Sequence, residues 1–328
     1  MNINYKKTLM KLNDFISGLC FKHFPEKKSL IIFTFHHLFN DDAEGNSKLL
    51  FPQGKISLQK FRFLIEYFLE NDYVFIRPEN ILNGLDNSKK YIMFTFDDGY
   101  YNNIRAISLL KEYDISAIFF IASSYIKKRK CFWWDVLYRE RKKAGISDRN
   151  IFTERTYLKY KKFNFIKDYL ISEFGEKIFK PASDLDRPLT AAELKLLSEN
   201  KYVYIGNHTS HHEVMSSLTL DEIESTISNA QQDIFEMVGY KPNLFSYPYG
   251  NYSKQVLEIT HNLGIKFGFS TIPQKNYLPI RVSLKNTYNL NRYTVSDRIP
   301  ILRQCCLSRS DFQFIGILEN IKYNIHNF

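Results

Sequence analysis

Short apolar segments alternate with longer amphipathic segments along most of this chain of 328 residues, and this alternation limits the folds that the chain can adopt. Segments rich in β-branched and aromatic residues predict strands, at residues 30–35, 91–96, 117–121, 202–205, 244–247 and 267–270. Segments with helical spacing predict helices, at residues 58–70, 103–113, 191–200, 220–238 and 253–263. Strands that alternate with helices form parallel sheets or barrels, so we predict an α/β fold. The length suits either one α/β barrel or about two smaller domains.

The alternation is interrupted once, between about residue 124 and residue 188. This stretch is dense in Lys, Arg, Tyr and Phe, and it lacks the strand and helix rhythm found on either side. Since no internal repeat or glycine-rich linker separates the two halves, we interpret it as a basic, aromatic insertion on one loop of a single domain. The predicted divisions are a leader at 1–28, the domain at 29–298 and a C-terminal helical segment at 299–328.

The leader has a basic amphipathic pattern. Its apolar residues recur near helical spacing, with lysines between them: Leu9, Leu12, Ile16 and Leu19. The apolar runs are too short for the hydrophobic region of a secretory signal or for a membrane span. Packing against the protein's own body is the favoured interpretation, and contact with a membrane surface is the alternative.

Cysteine usage and charge bear on the compartment and on the ligands. None of the four cysteines forms a Cys-x-x-Cys pair, and the adjacent Cys305 and Cys306 argue against a regular disulfide scaffold, so we expect reduced thiols in a cytoplasmic protein. Lys plus Arg number 45 against 35 Asp plus Glu, a formal charge of +10, which suits phosphate, anionic lipid or acidic polysaccharide. No nucleic-acid-binding motif accompanies the charge, so nucleic acid is not an expected partner.

Two carboxylates follow the second predicted strand at the point where it ends. The apolar run at 91–96 stops at Asp97, Asp98 and Gly99. The carboxyl ends of parallel strands are where α/β proteins place their sites. An Asp-Gly turn without function would look the same, so these carboxylates need partners elsewhere in the chain to form a site.

Histidines cluster after another predicted strand, where residues 208–212 hold three of the eight histidines. His208 and His212 are four residues apart, so in a helical turn both imidazoles lie on one face and can meet one metal ion. With one carboxylate they would complete a site of two histidines and an aspartate with a position left open for water, as catalytic zinc sites require. The alternative is a surface cluster without a ligand.

Two further segments end strands with distinctive residues. Residues 247–250 must form a rigid turn, because Pro248 fixes its φ angle and Gly250 permits conformations that other residues avoid. The first predicted strand ends in His36 and His37, and a histidine in such a place is more often structural than catalytic.

Together these elements resemble the polysaccharide deacetylases of the NodB-homology type, carbohydrate esterase family 4. Residues 95–99 are similar to the family's TFDDG motif, residues 208–212 to its H-S/T-x-x-H motif, and residues 247–250 to its third motif, which ends in PYG. The resemblance covers most of the chain. It implies a distorted (β/α) barrel with about seven strands and its site at the carboxyl end. It also implies metal-dependent hydrolysis of the amide of an N-acetylated sugar.

By this resemblance Asp97 is the catalytic base, and Asp98, His208 and His212 hold zinc or another divalent transition metal. Such a reaction needs a metal to polarise the carbonyl and activate water, a base to take the proton and an acid to protonate the departing amine. Tyr249 would offer its backbone N–H to the oxyanion in the family's manner.

The histidine expected to act as general acid does not stand where most members of the family have it. Many members supply it from a late Leu-x-His strand, but after residue 212 this chain has only His261, inside a predicted helix, and His326, near the end. Some relatives look circularly permuted, with a similar strand moved to the N-terminus, and His36 would then be the acid. His37 is less suitable, because its side chain would point to the opposite face of an extended strand.

An arginine and a tryptophan element complete the comparison. Many members have an arginine in the third motif, where Ser246 stands here, and Arg292 resembles the late arginine that orients the base aspartate in the permuted relatives. Residues 131–135 in the insertion resemble a Trp-Trp-Asp element of bacterial deacetylases associated with surface-glycan assembly. Its tryptophans either stack on sugar rings or pack the insertion onto the barrel.

The expected function is removal of acetyl from an N-acetylated amino sugar in bacterial surface-glycan metabolism. The basic leader and the positive charge suit a lipid-linked precursor at the inner membrane face, whose diphosphate would attract them. The alternatives are a deacetylase of exported polymer or peptidoglycan and a non-catalytic carbohydrate-binding relative. The apparent completeness of Asp97, Asp98, His208 and His212 argues against the non-catalytic relative.

Overall fold

The computed structural model describes residues 26–284 and 286–311. Its strands are β1 (Ser29–Phe35), β2 (Leu38–Phe39), β3 (Ile56–Ser57), β4 (Tyr73–Phe75), β5 (Lys90–Phe96), β6 (Ala117–Ile121), β7 (Val203–Asn207), β8 (Leu244–Ser246), β9 (Phe267–Phe269), β10 (Asn276–Tyr277) and β11 (Tyr293–Thr294). Its α-helices are α1 (Asp42–Gly45), α2 (Leu58–Glu70), α3 (Pro78–Leu82), α4 (Ala106–Glu112), α5 (Ser123–Lys128), α6 (Trp133–Lys143), α7 (Asp148–Leu158), α8 (Phe163–Phe174), α9 (Ala191–Ser198), α10 (Leu220–Val238), α11 (Lys254–Asn262) and α12 (Ile301–Arg309). Short 3-10 helices lie at Tyr101–Arg105, Glu176–Phe179, Met215–Ser217 and Pro248–Gly250.

Parallel strands form a curled sheet that closes on itself. The order β1, β5, β6, β7, β8, β9 is parallel throughout, and β4 and β10 extend the sheet beside β5 and β1. The chain then returns from Leu290, which forms a parallel bridge with Phe269 of β9, to β11, which pairs in parallel with β1. The predicted α/β fold of a distorted (β/α) barrel is therefore confirmed, with the segment at 290–294 closing the ring.

The alternation of side chains along β1 and β5 explains both the core and the position of the site. Leu30, Ile32 and Met93 belong to a buried cluster shared by several strands of the ring, whereas Phe33 and Phe94 on the opposite faces pack toward α2. Both faces of each strand are therefore covered, which accounts for the nearly continuous apolar runs. Since side chains alternate, residues two positions beyond an inward position also face the ring interior.

The insertion is helical, which the sequence did not predict. Helices α5 to α8 and the 3-10 turn at Glu176–Phe179 lie in the stretch whose sequence lacks the strand and helix rhythm of its flanks. Their helical pattern is obscured because large rings also occupy the outer faces, where Phe152, Tyr157 and Phe165 are about half exposed. An apolar stripe confined to one face is the signal that sequence patterns detect, and it is missing here.

The insertion has its own apolar core, and this core contains both tryptophans. Trp133 and Trp134 are 2% and 1% exposed and pack with Phe132, Leu137 and other residues of one cluster. Of the two interpretations offered for the tryptophan element, packing is therefore the one that the structure favours. Sugar stacking would need exposed ring faces.

The remaining predictions have mixed outcomes. The helix predicted at 103–113 is a 3-10 turn followed by the shorter α4. The predicted leader at 1–28 lies almost wholly outside the described residues, and so does the C-terminal segment beyond α12. Within the described ranges, no helix combines the length and the apolar character needed to cross a membrane.

Candidate active site

The carboxyl ends of the ring strands bring the predicted site residues together. The register pairs Thr34 with Thr95 and Phe35 with Phe96, so His36 and Asp97 leave neighbouring strands side by side. The backbone N–H of Asp97 donates to the Phe35 carbonyl at 2.9 Å. By the alternation described above, His36 and Asp97 both face the ring interior.

Asp98, His208 and His212 form the buried cluster that the sequence predicted as a metal site. Each offers a ligand atom within 4.8 Å of the others, and Asp98 Oδ1 lies 3.6 Å from His208 Nε2 and 3.5 Å from His212 Nε2. The Nδ1 atom of His208 lies 2.7 Å from the Ser246 carbonyl. Donation of the Nδ1 proton to that carbonyl leaves Nε2 free to bind a metal, a usual arrangement for histidine ligands.

The donor set fits a divalent cation. Both carboxylate oxygens of Asp98 and Nδ1 of His212 are buried and have no hydrogen-bond partner among the described residues. Burial, together with the neighbouring carboxylates of Asp97 and Asp135, raises the pKa of Asp98 well above its ordinary value, while burial lowers the pKa of His208 and His212. The two imidazoles are neutral, and the Asp98 carboxyl group lacks a cation to stabilise its charge. Neutral imidazoles and a carboxylate are ligands that zinc prefers.

The loop that carries the histidines is not the predicted helical turn. Residues 208–212 form irregular turns, with Thr209 at φ 64° and His212 at φ 60° in the left-handed region. Asp98, at φ 75°, has the same unusual backbone. Such conformations cost free energy for residues other than glycine, and in folded proteins they are concentrated at active sites and ligand-binding sites. The two imidazoles therefore meet through backbone turns rather than through helical spacing.

A partly buried glutamate that the sequence analysis missed holds this loop. Glu213 accepts hydrogen bonds from the Thr209 hydroxyl at 2.8 Å, from the His211 backbone N–H at 3.0 Å and from the Thr226 hydroxyl at 3.1 Å. The His211 ring stacks on Phe163 of the insertion at 4.0 Å between centroids. His211 therefore lies outside the metal cluster.

Asp97 is held by Arg292 in a bidentate ion pair. Both guanidinium NH2 groups lie 2.8 Å from an Asp97 oxygen, and the same guanidinium donates to Ser246 Oγ at 2.7 Å and to Thr95 Oγ1 at 2.9 Å. Arg292 is completely buried. Burial alone would raise the pKa of Asp97, but Arg292 and His208 hold it well below its ordinary value. Asp97 is therefore ionised while the adjacent Asp98 favours its protonated form.

The two histidines at the end of β1 have different surroundings. Nδ1 of His36 is buried and has no hydrogen-bond partner in the part of the chain that the structure describes. Burial, opposed by Asp97 and reinforced by Arg292, lowers the pKa of His36 to about 4. His37 faces away, with its ring 3.9 Å from that of Tyr100 and Nδ1 3.3 Å from the Asn102 amide. The structure thus directs His36, rather than His37, toward the site.

Tyr249 stands beside the metal cluster on the turn predicted from Pro248 and Gly250. Its ring lies 4.6 Å from that of His212, and its backbone is left-handed at φ 58°. At Gly250, φ is 67° and a Cβ atom would meet Thr271 Oγ1 at 2.1 Å, so only glycine fits. The turn therefore fixes the position of the Tyr249 backbone.

The insertion supports the metal cluster from behind. The Trp134 ring lies 4.9 Å from the His212 ring, and Trp134 Nε1 donates to the Tyr100 hydroxyl at 2.8 Å. That hydroxyl donates in turn to Asp135, which also accepts from the Phe51 backbone N–H at 2.7 Å. Burial raises the pKa of Asp135 to about 7. The Trp-Trp-Asp element noted in the sequence therefore packs against His212 of the metal cluster.

Comparison with known proteins agrees with this arrangement. The sequence pattern of the polysaccharide deacetylase family matches residues 84–268, which is more than half of the chain. The chain therefore belongs to the polysaccharide deacetylase family, as its motifs indicated.

Individual relatives are distant. The peptidoglycan-N-acetylmuramic acid deacetylase of Bacillus subtilis (strain 168) is 29% identical over 80 residues, which cover 24% of this chain and 30% of that protein. A polysaccharide deacetylase from Bacillus cereus shares the fold with a TM-score of 0.57 at 14% identity, covering 86% of this chain and 69% of that one. IcaB from Ammonifex degensii gives a TM-score of 0.54 at 15% identity, covering 87% and 99%.

We predict that His208 and His212 determine metal affinity and that His211, in the same loop, does not. His208→Ala or His212→Ala removes a ligand and should weaken zinc binding by more than about 100-fold, since even partners of ligands account for 10- to 100-fold. Equilibrium dialysis of zinc measures the change. His211→Ala is the matched control, because it lies in the same loop outside the cluster, and it should cost less than about tenfold. If His211→Ala proved the most damaging of the three, this ligand assignment would be wrong.

Proposed function

We propose that this protein is a metal-dependent N-deacetylase, which removes acetyl from an N-acetylated amino sugar of a bacterial surface glycan or of its lipid-linked precursor. One observation carries the proposal: the ring edge holds two adjacent aspartates in different states. Asp97 is ion-paired with Arg292, whereas Asp98 has no partner but the two histidines. One carboxylate is thus available as a base and the other as a ligand.

Membership in a family of polysaccharide deacetylases supports an amide-hydrolysing activity on an acetylated glycan. The name of the Bacillus subtilis relative points to a cell-wall glycan, although the aligned segment covers less than a third of that protein. The cytoplasmic location and the membrane contact of the leader stay predictions from the sequence.

The proposed reaction divides its steps among the residues of this chain. A divalent cation on Asp98, His208 and His212 would polarise the acetamide carbonyl and make a water molecule more acidic. Asp97 accepts the proton of the attacking water, and its ion pair with Arg292 keeps the carboxylate oriented for this task. The turn at Tyr249 presents a backbone N–H where negative charge develops on the carbonyl oxygen.

His36 protonates the departing amine in this proposal. The carbon–nitrogen bond breaks, the amine nitrogen takes the proton, and acetate and the free amino sugar leave. Because burial lowers the pKa of His36 to about 4, the ring is neutral at neutral pH in the free protein. It therefore takes up a proton from solvent in the enzyme–substrate complex before it donates to the amine, and the negative charge of Asp97 favours this uptake. Asp97 releases the proton of the attacking water to solvent after acetate leaves.

Acetate release from a panel of N-acetylated sugars tests the function. The zinc-loaded protein should release acetate from at least one of four classes: free, nucleotide-linked, lipid-linked and polymeric sugars. Asp97→Asn should bind zinc normally and turn over at least about 100-fold more slowly, because loss of a positioned base costs this much. Asp98→Asn serves as the comparison and should lose zinc itself. Acetate from none of the classes, or near-normal turnover by zinc-loaded Asp97→Asn, would contradict the proposal.

A separate prediction concerns His36. His36→Gln has a similar shape but cannot act as an acid near neutral pH, so it should retain zinc and lose turnover by about 100-fold or more. Wild-type kcat should fall as pH rises past the pKa of His36 in the enzyme–substrate complex, because only the protonated ring can donate. Steady-state kinetics across pH measures both effects, and this alkaline decline should be absent from the residual activity of the variant. A fully active His36→Gln protein would rule out His36 as the acid.

A further inference from the structure

Helix α7 of the insertion brings two cations to Tyr249 at the edge of the candidate active site. The guanidinium carbon of Arg155 lies 5.6 Å from the centre of the Tyr249 ring and 4.3 Å from that of Phe51. Lys159, at the C-terminal end of the same helix, places Nζ 5.1 Å from the centre of the Tyr249 ring. The Tyr249 ring itself touches His212, so both cations lie one side chain away from the metal cluster.

The donors at this place lack acceptors. Arg155 Nε and the Tyr249 hydroxyl are buried and form no hydrogen bond within the described ranges. Stacking on aromatic rings stabilises a guanidinium charge, but it does not satisfy its N–H groups. Buried donors in folded proteins nearly always have a partner, so a partner beyond the described residues is expected here.

Several other cations of the insertion have carboxylate partners. Arg139 pairs with Asp186, Arg141 with Glu154, and Lys142 with Asp148. Arg155 and Lys159 form no such pair in the part of the chain that the structure describes. The same holds for exposed cations such as Arg149, but Arg155 combines the missing ion pair with a buried Nε.

Two acidic groups on which the charge of Arg155 acts are engaged elsewhere. Asp135 accepts hydrogen bonds from Tyr100 and from the Phe51 backbone, and Asp98 belongs to the metal cluster. Besides burial and other nearby charges, the positive charge of Arg155 acts to lower the pKa of His36, so Arg155 lies within electrostatic reach of the candidate active site.

We propose that Arg155 and Lys159 form an anion-binding subsite, which recognises a phosphate or carboxylate group close to the N-acetyl group of the sugar. This inference rests on the proposed deacetylase function and narrows its substrate to an anionic one. A planar guanidinium matches the two oxygens of either group, and the neighbouring ammonium adds a second charge. Phosphate would come from a nucleotide or lipid carrier, and carboxylate from an acidic sugar.

Binding of three sugars to the full chain tests the subsite: chitotriose as the neutral probe, N-acetylmuramic acid for carboxylate and UDP-N-acetylglucosamine for phosphate. Isothermal titration calorimetry on chelator-treated protein measures affinity without turnover. At least one anionic probe should bind more tightly than chitotriose, and Arg155→Gln should weaken that binding by about 10- to 100-fold while chitotriose is unaffected. Lys159→Gln, at the half-buried end of the helix, should act in the same direction. Arg149→Gln, on the exposed face of the same helix, is the matched control and should change nothing.

The probe that loses affinity in Arg155→Gln identifies the anionic group. Equal losses for neutral and anionic probes, or no loss for any probe in a folded variant, would overturn the subsite. Acetate release by the zinc-loaded protein is recorded separately with the same probes. Charge-selective binding without acetate release from these probes or from the four substrate classes would refute the proposed function and leave the subsite standing. Acetate release from the anionic probes that does not depend on Arg155 would refute the subsite and leave the proposed function standing.

Discussion

The buried ion pair between Arg292 and Asp97 is the interaction on which the rest of the site depends. Two adjacent aspartates in a dry environment repel each other and would both favour protonation. The bidentate guanidinium stabilises the charge on Asp97 alone, so that Asp98 is left to the histidines. Ser246 makes this possible, because its small side chain leaves room for Arg292 and its hydroxyl accepts one of the guanidinium hydrogens.

The closing segment of the barrel gives this ion pair its place. Arg292 lies between the bridge to β9 and the pairing with β1, so the same few residues close the ring and hold Asp97. His36 follows the strand with which this segment pairs, and Asp97 follows the next strand. Closure of the fold and the positions of the proposed base and acid therefore depend on one stretch of backbone.

Much of this arrangement could be predicted from the sequence because its signals are local. Helix α10 and strand β6 have the bounds that the hydrophobic pattern predicted. Asp97, Asp98 and the two ligand histidines fall in short motifs at strand ends, and the alternation along β1 distinguishes His36 from His37. The pairing of Arg292 with Asp97 depends on the register of distant strands, so only the resemblance to permuted relatives pointed to it.

Other features could not be predicted, because they depend on contacts between distant segments. Glu213, the contact of Trp134 with His212 and the approach of Arg155 to Tyr249 need the insertion and the barrel to be packed together. The helices of the insertion carry aromatic side chains on both their buried and their exposed faces, so the helical periodicity of apolar residues is not visible in the sequence. The left-handed backbone at Thr209 and His212 could not be predicted, because neither position holds the glycine that usually indicates such a conformation.

In the proposed mechanism, Arg292 orients Asp97 as the base without taking part in metal binding. Arg292→Lys separates these two roles, since lysine retains the charge but loses the two-pronged geometry. The variant should fold and bind zinc with unchanged affinity, and its kcat should fall by about 100-fold, because a small misplacement of a reacting group costs this much. Zinc titration and steady-state kinetics on the same preparation measure both quantities. A kcat within about twofold of wild type, or a loss of zinc affinity that accounts for the whole decrease, would show that Arg292 does not orient the base.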